Sequence, residues 1–263
     1  MQRLLRLASR AATAVLAAGI VSHTISAQSP LCTGVDAKHP APLAPLQRDR
    51  PADGTTRYDM TVQQARDSTA KPLGTMTVTQ KTINCGSSDV IMRVIVYDYG
   101  SAGHVVDTTL SMAATLAPIS ERTRKSSGDI VLDFSGRLVR GSMTRAGATR
   151  AIHDTLATPS FNSTDLELVV RSLDLRFGIT TVLQIYDPEY GGYRPDSVNV
   201  VQLDPAKEPD SESTWVVHSR DRRLESTYRI SERSRRLLAI DVHADSTRYR
   251  ITLSDAAAKG KRM

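Results

Sequence analysis

The side chains that could do chemistry in this 263-residue chain are few and scattered. Five histidines follow residue 27: His39, His104, His153, His218 and His243. Metal ligation needs imidazoles or carboxylates that one element presents together, and no His-Glu-x-x-His occurs. His153 and Asp154 are adjacent, so on a strand they point to opposite faces. His218 and His243 fall on separate predicted strands and could meet only across a sheet. Ser68-Thr69-Ala70-Lys71 fits Ser-x-x-Lys, a nucleophile with lysine one helical turn away. Pro72 follows that lysine and no Lys-Thr-Gly occurs, so the segment reads as a hairpin connection. There is no Gly-x-Ser-x-Gly elbow, phosphate loop or dinucleotide fingerprint. No catalytic residue, no cofactor and no metal site is expected.

The densest polar loop runs from Asp187 to Asp196. It carries Asp187, Glu189 and Asp196, with Tyr186, Tyr190 and Tyr193 close by. Dispersed carboxylates of this kind could serve a hydrolase if two of them faced one cleft at about 5 to 9 Å. Calcium loops space their oxygen donors regularly around a glycine, and this one does not. A long hairpin turn is the simpler reading. Asn162-Ser163-Thr164 matches a glycosylation acceptor, but the same residues make a helix cap.

The elements that must position these groups are mostly strands. Alternating runs recur at even spacing from Arg57 onward: around Thr75–Thr79, then 89–99, 104–112, 116–125 and 129–135. Ser135-Gly136 joins two such runs as a tight hairpin turn. Further runs cover 148–156, 178–186, 197–203, 214–219, 224–231, 236–243 and 247–253. A period of two marks an antiparallel sheet with one buried face. One segment differs. Leu166, Val169, Val170 and Leu173 recur at spacings of three and four, and Thr164 with Glu167 makes a capping box. This predicts an amphipathic helix of about three turns near 164–175. The expected fold is therefore mainly β: a large curved antiparallel sheet, a half-open barrel of about twelve strands, packed on a single helix. The helix stripe Leu166, Val169, Val170 and Leu173 is core by default, and the expected wall of any apolar-ligand gap.

The first 27 residues set the expected compartment. Arg3, Arg6 and Arg10 precede an uncharged stretch from Ala11 to Ile25, and Ile25-Ser26-Ala27 offers a small-residue cleavage site. The expectation is a signal peptide over 1–27 with the mature chain starting at Gln28. The apolar stretch, about 17 residues broken by Thr13, Ser22, His23, Thr24 and Ser26, is short for a membrane span. Periplasmic or secreted localisation follows, without a stable membrane span. The Pro-rich segment 28–56 reads as a flexible tail, 57–254 as one β-rich domain, and 255–263 as a disordered end. Without the leader the chain has 31 basic against 28 acidic residues, too balanced for a nucleic-acid partner. In an oxidising compartment Cys32 and Cys85 are candidates for a disulfide.

The final third carries a resemblance. Thr214-Trp215-Val216-Val217-His218-Ser219 is followed by Ser226-Thr227-Tyr228-Arg229-Ile230-Ser231. Arg235-Arg236-Leu237-Leu238-Ala239-Ile240 and Arg248-Tyr249-Arg250-Ile251-Thr252-Leu253 complete the series. This rhythm resembles a family of exported bacterial domains of unknown function. That family is similar in architecture to the LolA and LolB lipoprotein-carrier fold, a curved sheet wrapped on a helix. The resemblance spans about Arg57 to Leu253 and transfers no catalytic residue. It implies binding of an apolar small molecule or cell-envelope component; taken with the leader and the absent catalytic motifs, the expectation is an exported, non-enzymatic, monomeric protein with that ligand between sheet and helix. The alternatives are an envelope interaction module pairing through a sheet edge, and the hydrolase with dispersed carboxylates.

Overall fold

A computed structural model describes Cys32, Leu46 and residues 52–86, 88–206 and 212–254. The expected leader, most of the proline-rich tail and the C-terminal end lie outside the described residues. The chain divides into two compact units, Met1–Thr33 and Gly34–Met263, and the fold described here is that of the second.

Fifteen strands form one sheet. In chain order they are β1 (Gly54–Gln64), β2 (Lys71–Asn84), β3 (Asp89–Asp98), β4 (His104–Met112), β5 (Pro118–Lys125), β6 (Gly128–Ser135), β7 (Leu138–Arg145) and β8 (Ala148–Thr155). After β9 (Phe161–Asn162) and the helix α1 (Leu166–Ser172) come β10 (Thr180–Asp187), β11 (Gly192–Asp204), β12 (Thr214–Arg220), β13 (Leu224–Ser231), β14 (Leu237–Ala244) and β15 (Thr247–Leu253). Spatial order follows chain order in two meanders, β8 back to β1 and β15 back to β9, joined where β1 pairs antiparallel with β15. From β1 to β8 and from β10 to β15 each strand therefore closes a local hairpin with the next, and the β1–β15 seam joins the two ends of the sequence.

The mainly β architecture with one helix is as the alternation predicts, and the count exceeds the expected twelve. β9 is two residues long, too short to show a period. It runs parallel to β10, pairing Phe161 with Ile185, because the chain passes through α1 before rejoining the sheet. The sheet is therefore mixed rather than wholly antiparallel. It does not close into a barrel. Its two ends meet through side chains instead: Tyr186 Oη donates to Asp154 Oδ2 at 2.6 Å, and Arg150 reaches the Pro188 carbonyl at 3.4 Å.

The helix is shorter than its sequence pattern. A 3₁₀ turn occupies Ser163–Asp165, α1 holds seven residues, and Leu173 is already extended (φ −65°, ψ 152°). Leu173 instead makes an antiparallel bridge to Leu46, within the segment expected to be a structureless tail. The capping box does not form either. Asn162 accepts from the Thr164 amide, and Glu167 turns to two arginines.

The main core gathers Tyr58, Met76, Ile95, Leu183, Val217 and Ile230 from the sheet around Leu168, Val169 and Val170 of α1. A second cluster of Ile130, Leu132, Val139, Ile152 and Tyr186 fills the β6–β8 end. Two strand glycines permit close strand approach. Gly74 in β2 has φ +151°, and a Cβ there would lie 2.0 Å from the Asp98 carbonyl. Gly141 in β7 has φ +153°, with 1.8 Å to Val131. Only glycine fits such positions.

Candidate functional site

Tyrosines from β3, β15 and two turns meet at a cleft over the middle of the sheet. Tyr97 lies near the end of β3, and Tyr99 follows just past it at the start of the turn to β4. Their rings stack at 6.4 Å with planes 6° apart. The pairings Met60↔Ile251 and Val62↔Tyr249 bring β1 and β15 into line, and Val242↔Tyr249 adds β14. The resulting cleft of about 540 Å³ is lined by Met60, Leu73, Tyr97, Tyr99, Val242 and Ile251, with Tyr190 and Tyr249 among the side chains at its mouth. Its size and its apolar, aromatic wall fall in the range of small-molecule pockets.

Tyr190 arrives from the turn between β10 and β11. Asp187 starts that turn by accepting from the Glu189 and Tyr190 amides. Pro188 fixes its first position, and Gly191 closes it at φ 93°. Glu189 pairs with Lys125 at the end of β5, tying the turn across the sheet. A second cleft of about 260 Å³ shares Tyr190 with the first. Tyr193, Arg194, Asp221, Arg222 and Arg223 also line it. The Arg194 and Arg223 guanidiniums stand 5.8 and 5.6 Å from the Tyr190 ring centre, within cation–π range.

Beneath α1 lies a buried polar layer. Strand register aligns Arg93, Thr109 and Glu121 in one row, and Asp107 with Thr123 in the next. Arg93, 1 % exposed, donates to Asp165 Oδ1 at 3.1 Å and to Glu167 Oε2 at 2.5 Å. Asp165 also accepts from Thr109 and Ser111 at 2.8 and 2.7 Å. Burial opposes the Arg93 charge, but Glu167 and Asp165 outweigh it and hold the guanidinium protonated.

Thr123 Oγ1 sits 2.6 Å from Asp107 Oδ1 and 3.0 Å from Glu121 Oε1. One hydroxyl proton cannot serve both carboxylates at once, and Glu121 Oε1 also accepts from Thr164 Oγ1 at 3.1 Å. Burial, reinforced by the Asp107 charge and only partly offset by the threonine hydrogen bonds, pushes Glu121 up to about 7. Burial likewise raises Asp107. Burial first and Asp107 second also raise the phenols of Tyr97 and Tyr99. Neither acid lines the two clefts.

The residues expected from sequence are placed as follows. Val169 and Val170 are fully buried, Leu173 is 2 % exposed and Leu166 packs against the same core. They contact sheet side chains, and none lines either cleft. Cys32 and Cys85 are each disulfide-bonded. His104, His153, His218 and His243 are exposed, and no metal-holding cluster occurs among the described residues. Asp187, Glu189 and Asp196 are engaged separately, with Arg194, Lys125 and Ser219. Ser68 lies in the exposed β1–β2 turn, and Lys71 pairs with Asp67.

Sequence reasoning missed Tyr97, Tyr99 and the polar layer. Their i, i+2 spacing was visible. Apolar residues fall on both faces of β3, so alternation alone did not mark the face that carries Ile91, Arg93, Ile95 and Tyr97. No curated protein and no solved structure matches the chain. The family described as a protein of unknown function (DUF3108) matches residues 57–256, from within β1 to just past β15, and the chain belongs to that family.

Proposed function

We propose that this protein is an exported, non-enzymatic carrier or receptor that binds an apolar molecule in the tyrosine-lined cleft. The observation that carries this reading is the cleft itself: about 540 Å³, bounded by Met60, Leu73, Val242, Ile251 and stacked Tyr97 and Tyr99. Ligand sites of this size are mostly apolar with a few polar groups that fix orientation, here the tyrosine hydroxyls. The ligand seat is thus the inner face of β1, β3, β14 and β15 rather than the α1 stripe. A single helix held on a curved sheet also suits the lipoprotein-carrier architecture that the sequence resembles. The export reading rests on the basic, apolar and small-residue order of residues 1–27.

Native mass spectrometry of the protein purified from a periplasm tests this. The expected result is an added mass of lipid size that organic-solvent extraction removes. A bare polypeptide mass, together with no uptake of a fluorescent fatty acid, overturns the reading.

A further inference from the structure

The smaller cleft carries a second message about the ligand. Asp221 is its one lining carboxylate, and it is already occupied. Its Oδ1 accepts from the Arg223 and Leu224 amides at 2.6 and 2.8 Å, and its Oδ2 pairs with Arg194. Arg194 is further held toward Asp187, at 3.7 Å. This leaves the Arg222 and Arg223 guanidiniums with no carboxylate partner among the described residues. Arg223 instead lies over Tyr190, the residue both clefts share. Arg250, at the larger cleft, faces Asp241 at 3.8 Å, and Asp241 also receives Arg248 at 2.9 Å. The positive charge of the two clefts without a carboxylate partner is therefore that of Arg222 and Arg223, beside Tyr190.

We infer that the two clefts form one amphipathic site whose ligand is an anionic amphiphile. Its alkyl or aryl part lies along Met60, Tyr97 and Val242. Its carboxylate or phosphate end passes Tyr190 and is held by Arg222 and Arg223. Guanidinium forks suit both anions because they present paired donors in a plane. Tyr190 serves as the hinge of recognition: one part of the phenol meets the tail, while its π face keeps Arg223 aimed at the head. This inference rests on the proposed apolar cleft and adds the charge of the ligand to it.

Calorimetric titration of the full chain with dodecanoate and with dodecanol separates the two ideas. The expected result is that dodecanoate binds about tenfold tighter than dodecanol. In R222A/R223A that preference disappears while dodecanol still binds. Both arginines are exposed, and retained dodecanol binding also reports that the variant is folded. Equal binding of the two ligands by the native chain, or a preference kept by the double variant, overturns the anionic seat and leaves the apolar cleft standing. No binding of either ligand overturns both. Inorganic phosphate alone is expected not to displace dodecanoate. Displacement by phosphate would overturn the amphiphile and assign the arginines to a free anion.

Discussion

Glu121 is the residue whose environment has the clearest thermodynamic consequence. Its folded value of about 7 lies above its ordinary 4.5, so the folded chain binds a proton more tightly than the unfolded one. Stability is then fullest at low pH and falls as pH rises from about 4.5 to about 7. The raised Asp107 acts in the same direction. Glu121→Gln keeps the shape and removes the charge. Urea denaturation above about pH 7 should find it more stable than the parent by about 2 to 3 kcal/mol, with a flatter pH profile between those limits. An unchanged pH profile would count against the buried proton. Arg93 works in the opposite sense, since its charge is what Asp165 and Glu167 require. Arg93→Met should cost about 3 to 5 kcal/mol in the same assay, because two buried carboxylates lose their cation.

Among the elements, α1 is held from both sides: its valines are buried in the sheet core, and Arg93 pins Glu167 and the preceding Asp165. This explains why a seven-residue helix persists when isolated helices of that length do not form. Leu173→Ala should lower stability by about 2 to 5 kcal/mol through the cavity it leaves. Its ligand affinity, measured with the same fluorescent fatty acid, should match the parent, because Leu173 does not line the cleft. Gly74 tests the sheet rather than the helix. Gly74→Ala places a methyl group against the Asp98 carbonyl beside Tyr99, so it should lower the urea midpoint and weaken ligand binding together. A variant with parental midpoint and affinity would show that β2 and β3 can separate freely.

Across the molecule, the sheet is left open between β8 and β9, and side chains bridge that line. Tyr186 to Asp154 and Lys125 to Glu189 hold the two ends and the β10–β11 turn in place around the clefts. Val242→Trp at the cleft wall should abolish fatty-acid uptake, with little change in the thermal midpoint, because Val242 is only partly buried. Uptake at parental affinity in that variant would move the ligand elsewhere. β8 ends the sheet with seven of its eight residues exposed, among them Arg150, His153 and Asp154. Such charges discourage edge-to-edge pairing.

Much of this was written in local sequence, because strand hairpins are local devices. Runs such as 89–99, 104–112 and 247–253 became β3, β4 and β15, and Ser135-Gly136 became the turn between β6 and β7. The position of a helix near 164–175 was equally legible from its three-and-four spacing. Its length was not, since Leu173 is drawn into extended pairing by Leu46, over a hundred residues away. Nor was the inward face of β3 to β5. Alternation distinguishes two faces of a strand but not which one is buried. Here Arg93, Asp107, Thr109 and Glu121 turn inward because the 3₁₀ turn and α1 supply Thr164, Asp165 and Glu167 to meet most of them. The cleft depends on the same long-range arithmetic. Tyr97, Met60, Val242 and Tyr190 come from four separate stretches, and only the β1–β15 seam and the folded-back β10–β11 turn bring them together. Local sequence determined the strands and most of their turns. Tertiary structure decided which faces look inward and where the interior stays open, because both depend on partners distant in the chain.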